Sequence, residues 1–153
     1  LDQWIDSQNL EAHRDGFRPI PKCEFRVVGQ LALMEANLNL PIAATQDFDA
    51  FHNAHHLVMT KLNHLLSVNG LIFDMLSTEI WMPDEVQYVD VYAGKWVSVV
   101  RARPEYIMLS KAKMALEKNR VLLRQYISSR PPVIFFDLCL KYNVNLDHIL
   151  TKD

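Results

Sequence analysis

Two aspartates flank a phenylalanine in Asp47-Phe48-Asp49. On a β-strand, alternate side chains leave by opposite faces, so the two carboxylates would share one face while Phe48 turns into a core. Carboxylates held side by side repel, and each is costly to bury. A divalent cation relieves both costs, and hard Mg²⁺ (or Mn²⁺) favours carboxylate oxygens completed by phosphate. The same tripeptide also reads as a solvent-facing pair at a helix start, with Asp49 as the N-cap.

Other residue types in the chain point less far. His52, His55, His56 and His64 fall in the segment after the acids, and His52/His56 have the i, i+4 spacing that seats a metal on a helix face. No glutamate base or third ligand accompanies them, so they read as a polar helix face with one or two partly buried rings. No Ser or Cys nucleophile motif accompanies a histidine. Cys23 and Cys139 are far apart and in no metal-ligand spacing, which reads as two core thiols in a reducing compartment. Four glycines form no cluster able to cradle phosphate.

Lys111, Lys113, Lys118, Arg120 and Arg124 give the C-terminal third a basic stripe. It reads either as a solvated helix face or, for Lys111 and Lys118, as a positive side turned toward an anionic ligand, with Arg101 and Arg103 adding to the rim. The net charge of −2 excludes a broadly basic nucleic-acid binder. Half the residues are hydrophobic and 22% are charged, the balance of a folded globular chain. No apolar run is long enough to span a bilayer, and the N-terminus lacks the basic-then-apolar order of a signal peptide. The expectation is a soluble cytoplasmic protein, beginning with Leu1 as a processed or trimmed chain would.

These side chains need elements to position them. The 153 residues suit one domain, sheet-rich over about 24–103 and helical over 104–150. A short helix is expected over 1–12, then an extended link through Gly16, Pro19 and Pro21. A strand over 24–28 runs into Gly29, and a helix over 31–40 stops at Pro41. A strand over 44–49 precedes a helix over 50–66, whose apolar positions recur at helical spacing. A strand over 71–75 and an edge piece over 80–82 follow. Runs over 86–92 and 96–101 flank Ala93-Gly94-Lys95 as a hairpin, with Gly94 in the turn and Tyr92, Trp81 and Trp96 packing the sheet. From Pro104 one long helix is expected to about Ile127, then helices over 133–142 and 146–150. The fold class is α/β (α+β): a mixed β-sheet flanked by helices, with a helical C-terminal layer.

Val27-Val28-Gly29-Gln30, a helix, Thr45-Gln46-Asp47-Phe48-Asp49 and a later acidic strand Tyr88-Val89-Asp90-Val91-Tyr92 come in a telling order. In this order the chain resembles the DNA-polymerase-β-like nucleotidyltransferase superfamily, in particular the small bacterial branch that includes abortive-infection and toxin–antitoxin nucleotidyltransferases. Pro104-Glu105 followed by Lys111 matches the same branch. The resemblance spans roughly Phe25 to Ile127. It implies a nucleotidyltransferase-like sheet, with Asp47, Asp49 and Asp90 as catalytic metal ligands for Mg²⁺ (or Mn²⁺). Gly29, Gln30 and Lys111 would bind the nucleotide. Asp74 competes with Asp90 for the third acid. The implied reaction moves a nucleotide from an NTP to a hydroxyl on RNA, protein or a small molecule. Gln30 stands where the family has Gly or Ser, and Asn119 where Asp is frequent. Those two departures carry the alternative: a degenerate member of the fold that binds nucleotide, regulates, or docks a protein partner.

Overall fold

A computed structural model describes residues 1–151. Its centre is β1 (Cys23–Val28), with strands paired on both of its edges and its apolar side chains buried in clusters on both faces. On one edge β1 pairs antiparallel with β2 (Asp47–His52). On the other it pairs parallel with β5 (Val97–Ala102). Outside β2 lies the two-residue β3 (Ile72–Phe73), parallel to it, and outside β5 the antiparallel β4 (Tyr88–Ala93). The five-stranded order is β3-β2-β1-β5-β4, a mixed sheet of the α+β class.

Parallel neighbours need a crossover. Between β2 and β3 it is α3 (His56–Val68), and between β1 and β5 it is the long passage through β2, α3, β3 and β4. Phe25 and Val28, three residues apart on β1, point to opposite faces and belong to different apolar clusters. The smaller cluster joins Phe25 to Ile5 of α1 (Asp2–Asp15) and to Val58 of α3. The larger joins Val28 to α2 (Gly29–Glu35), α4 (Pro104–Met114), α5 (Leu116–Ser128), α6 (Val133–Lys141) and α7 (Leu146–Thr151). The helical C-terminal layer is thus the lid of the main core.

The hairpin expected at Gly94 is present as β4 and β5, and an added Cβ there would press on Asp2 Oδ1 at 2.7 Å. Asp2 needs that space. Its carboxylate accepts from the backbone N–H groups of Trp96 (2.7 Å), Val97 (2.9 Å) and Lys95 (3.2 Å), and Asp6 accepts from the Trp96 indole (2.8 Å). One helix end is clasped onto the turn by these bonds. They hold the carboxyls of Asp2 and Asp6 below the usual carboxylate range, the Trp96 N–H and the Lys95 ammonium contributing most, respectively.

Four expectations change. Pairing with β1 (Val28 opposite Asp49, Phe25 opposite His52) draws Ala50, Phe51 and His52 into β2, so the next helix starts at His56 rather than at Ala50. The His52/His56 spacing therefore lies across a strand end, not on one helix face. His52 Nδ1 accepts from Ala54 N–H, and His55 caps α3 by accepting from Leu57 N–H. The second helix stops at Glu35, short of Pro41, because Asn37 takes a left-handed turn at φ 53°. The edge piece at 80–82 is no strand; a 3-10 turn over Met75–Glu79 precedes it, capped by Asp74 accepting from Leu76 N–H. Finally, the long C-terminal helix breaks at Ala115 (φ −147°, ψ 46°) into α4 and α5. No Pro or Gly marks that break, where the Asn119 side-chain amide donates to the Ala115 carbonyl at 2.9 Å.

The basic stripe is also reassigned. Arg120 is buried, reaching Glu117 and the His148 carbonyl, and Arg124 donates to the Ile149 carbonyl at 2.7 Å. Both arginines fasten α7 to α5. Among the described residues no helix is long and apolar enough to cross a membrane.

Candidate functional site

Asp47 and Asp49 sit two apart on β2 and so share a face. The parallel register sets Asp47 opposite Ile72 and Phe48 opposite Phe73, and Asp74 N–H donates to the Phe48 carbonyl at 3.0 Å. That register carries Asp74 abreast of Asp49. Partial burial pushes the Asp49 carboxyl up to about 6, with the Asp74 carboxylate and then Asp47 adding to the effect and Lys111 opposing it. The group at this sheet edge carries more negative charge than its lysine offsets.

Gly29, just past the end of β1, closes the site. Val28 ends its strand in extended backbone and Gly29 opens α2 at φ 73°, a conformation L side chains rarely adopt. Room is as limiting as backbone. A Cβ on Gly29 would collide with the Asp49 carboxylate, with Cγ at 3.1 Å and Cβ at 3.2 Å. The glycine therefore lets the backbone of β1 pass directly against the acid of β2. Gln30 follows, its amide donating to the Ala43 carbonyl at 3.0 Å, which turns its side chain onto the loop that leads into β2.

Lys111 approaches from α4. Burial, followed by repulsion from Lys118, pushes its ammonium below the ordinary lysine value, while Asp49 pulls the other way. Its Nζ donates to Asn119 Oδ1 at 3.3 Å. Gly29, Gln30, Asp47, Asp49 and Lys111 all line one cavity of about 680 Å³. Trp81, Met82, Met114, Val121 and Leu122 add apolar surface to its lining. The lining thus combines carboxylates and a lysine with flat or flexible apolar groups, a mixture suited to a ligand with a charged and an apolar part.

Asp90 does not join this group. It lies exposed on edge strand β4, opposite Val100, with β5 and β1 between it and β2. Three inter-strand steps put it about 14 Å away across the sheet. The third acid beside Asp49 is Asp74, whose signal in the sequence was its place on the strand after α3. Arg101 and Arg103 do not form a rim either: Arg101 pairs with Glu35, and Arg103 bonds Gln87 and Glu105 around a separate depression.

Among the described residues no three His, Cys, Asp or Glu side chains form a ready metal cage. Mg²⁺ seldom asks for one, since it commonly takes one or two carboxylates and completes its shell with water and substrate phosphate. The hard oxygen donors of Asp47 and Asp49, with surplus negative charge beside them, fit that mode of binding. No family model, curated protein or solved structure matches the chain.

Proposed function

We propose that this protein is a metal-dependent nucleotidyltransferase, moving a nucleotide from an NTP to a hydroxyl acceptor on RNA, protein or a small molecule. What supports the reading is that Gly29, Gln30, Asp47, Asp49 and Lys111, named from the order of motifs, line a single cavity although they come from α2, β2 and α4. A divalent cation bound by Asp47 and Asp49 would offset the triphosphate charge and make an acceptor hydroxyl easier to deprotonate. The chain supplies position and electrostatics: Gly29 keeps the backbone low beside Asp49, Lys111 faces the phosphates, and the apolar wall at Trp81 and Met114 shelters the base. Asp74, abreast of Asp49, adds negative charge beside the cation. The reading includes a cytoplasmic setting, a protein partner of the toxin–antitoxin kind among the candidate partners, and Mg²⁺ or Mn²⁺ as the cofactor.

The test is thermal stability with and without Mg²⁺ and each NTP, on wild type and on the Asp47→Asn/Asp49→Asn double variant. A ligand at about 100 times its dissociation constant adds roughly 2.7 kcal/mol to the folded state. The expected result is a shift with Mg²⁺ and one or more NTPs that the double variant loses. No shift with any nucleotide would sink the proposal.

The placement of Asp90 away from the paired acids favours a second reading, a nucleotide-binding or regulatory member of the fold without turnover. That protein would show the same melting shift but transfer no labelled nucleotide to any acceptor.

A further inference from the structure

The Lys111 ammonium is held by a neutral side chain rather than an acid. Its Nζ donates to Asn119 Oδ1 at 3.3 Å, while the Asn119 amide nitrogen donates to the Ala115 carbonyl at 2.9 Å. The second bond decides which end of the amide faces the lysine. With the nitrogen engaged at the break between α4 and α5, the oxygen is the end left for the ammonium. The Asn119 backbone N–H also donates to the Ala115 carbonyl, at 3.2 Å. The helix break, the amide and the ammonium form one connected line, and Lys111, Asn119 and Ala115 all border the cavity that holds Asp47 and Asp49. A carboxylate in the place of Asn119 would offer Lys111 the same oxygen but would pair with it and cancel its charge. The amide gives direction and leaves the charge for something else.

We propose that Asn119 is a positioning residue, aiming the Lys111 ammonium at a polyphosphate in the cavity without neutralising it. The proposal rests on the phosphate-facing role given to Lys111 under the nucleotidyltransferase reading. It also changes the meaning of asparagine at this position: the missing acid becomes a means of keeping the lysine charge available, not a mark of decay.

The experiment is calorimetric binding of inorganic tripolyphosphate, at fixed Mg²⁺, to wild type, Lys111→Met, Asn119→Ala and Asn119→Asp, with a thermal melt of each variant. Loss of a charge-assisted contact in Lys111→Met is expected to weaken binding by about tenfold or more. Asn119→Ala should weaken it by a smaller factor, because the ammonium keeps its charge and loses its aim. Asn119→Asp, nearest in shape, should bind more weakly than Asn119→Ala. A merely structural role for Asn119 does not produce that order, since it would follow the melting temperatures instead. Asn119→Asp binding as tightly as Asn119→Ala, or more tightly, overturns the proposal. If Lys111→Met weakens binding while both Asn119 variants match wild type, this inference fails and the reading of Lys111 stands. If wild type does not bind, or Lys111→Met binds as wild type does, both fail together.

Discussion

Asp49→Asn is expected to raise the stability of the metal-free protein at pH 7 and to flatten its response to pH between about 4 and 6. In the folded chain the Asp49 carboxyl stands at about 6 against an ordinary 3.8, because burial and the neighbouring Asp74 and Asp47 disfavour its charge. A carboxyl raised on folding binds its proton more tightly in the native state. Stability is therefore greatest below the unfolded value, falls as pH climbs through the interval, and stays lowered above the folded value. After discount for solvent screening at a partly exposed group, the cost at neutral pH is about 2 kcal/mol. Asparagine keeps the shape and removes the charge, so the variant should gain about that amount at pH 7 and match wild type near pH 4. Because the Asp74 carboxylate is the next cause after burial, Asp74→Asn should relieve part of the same cost and give a gain in the same direction. Urea melts across pH 4–8 for wild type and variant measure the difference directly. Parallel curves, with no growing gap as pH rises, would remove the crowding of acids from the account.

The second large effect is mechanical. Phe135 on α6 is fully buried, with its ring edge-on to Tyr126 at 5.0 Å and to Phe136 at 5.5 Å. Phe135→Ala deletes that ring from the middle of the main cluster, at a cost of about 3–5 kcal/mol through lost burial and an unfilled cavity. Against a typical total of about 5–15 kcal/mol this is a large share. It should lower the melting temperature by about 10 °C for a chain of this size. Since α6 packs on α4, which carries Lys111, ligand binding should weaken together with the melt. Calorimetry checks the first part, and a loss under about 1 kcal/mol would show that neighbours close the gap.

Much of the fold was legible because its signals are local. Gly94 between two β-rich runs marks the hairpin, Pro104 marks a helix start, and prolines 19 and 21 mark an extended link. Where the reading failed, a distant partner decides. Ala50, Phe51 and His52 have no periodicity that separates strand from helix; β1 pairing separates them. Ala115 is a good helix former, yet the chain breaks there, and no residue type at that position marks it. Arg120 looks like a solvated charge until the His148 carbonyl is found beside it. The candidate site divides along the same line. Asp47 and Asp49 are set by strand alternation within three residues, but the choice between Asp74 and Asp90 depends on which strand lies next to β2. That is a matter of sheet order, and nothing within either strand encodes it.

Sheet order also gives Asp90 a consequence of its own. Tyr88-Val89-Asp90-Val91-Tyr92 reads the same in both directions, and it forms the outer strand of the sheet with one edge unpaired among the described residues. A second molecule approaching antiparallel in the best-matched alignment would lay tyrosine on tyrosine and valine on valine, and would set Asp90 against its own copy. Like charges directly opposite across strands are destabilising, and the irregular register between Asp90 and Tyr92 further spoils the edge. Asp90→Val should therefore self-associate with rising concentration in sedimentation velocity while wild type does not; a variant that stays dispersed would leave the bulge as the sole barrier. On that account the acid that stands apart from the cavity would keep the outer strand from pairing with its own copy.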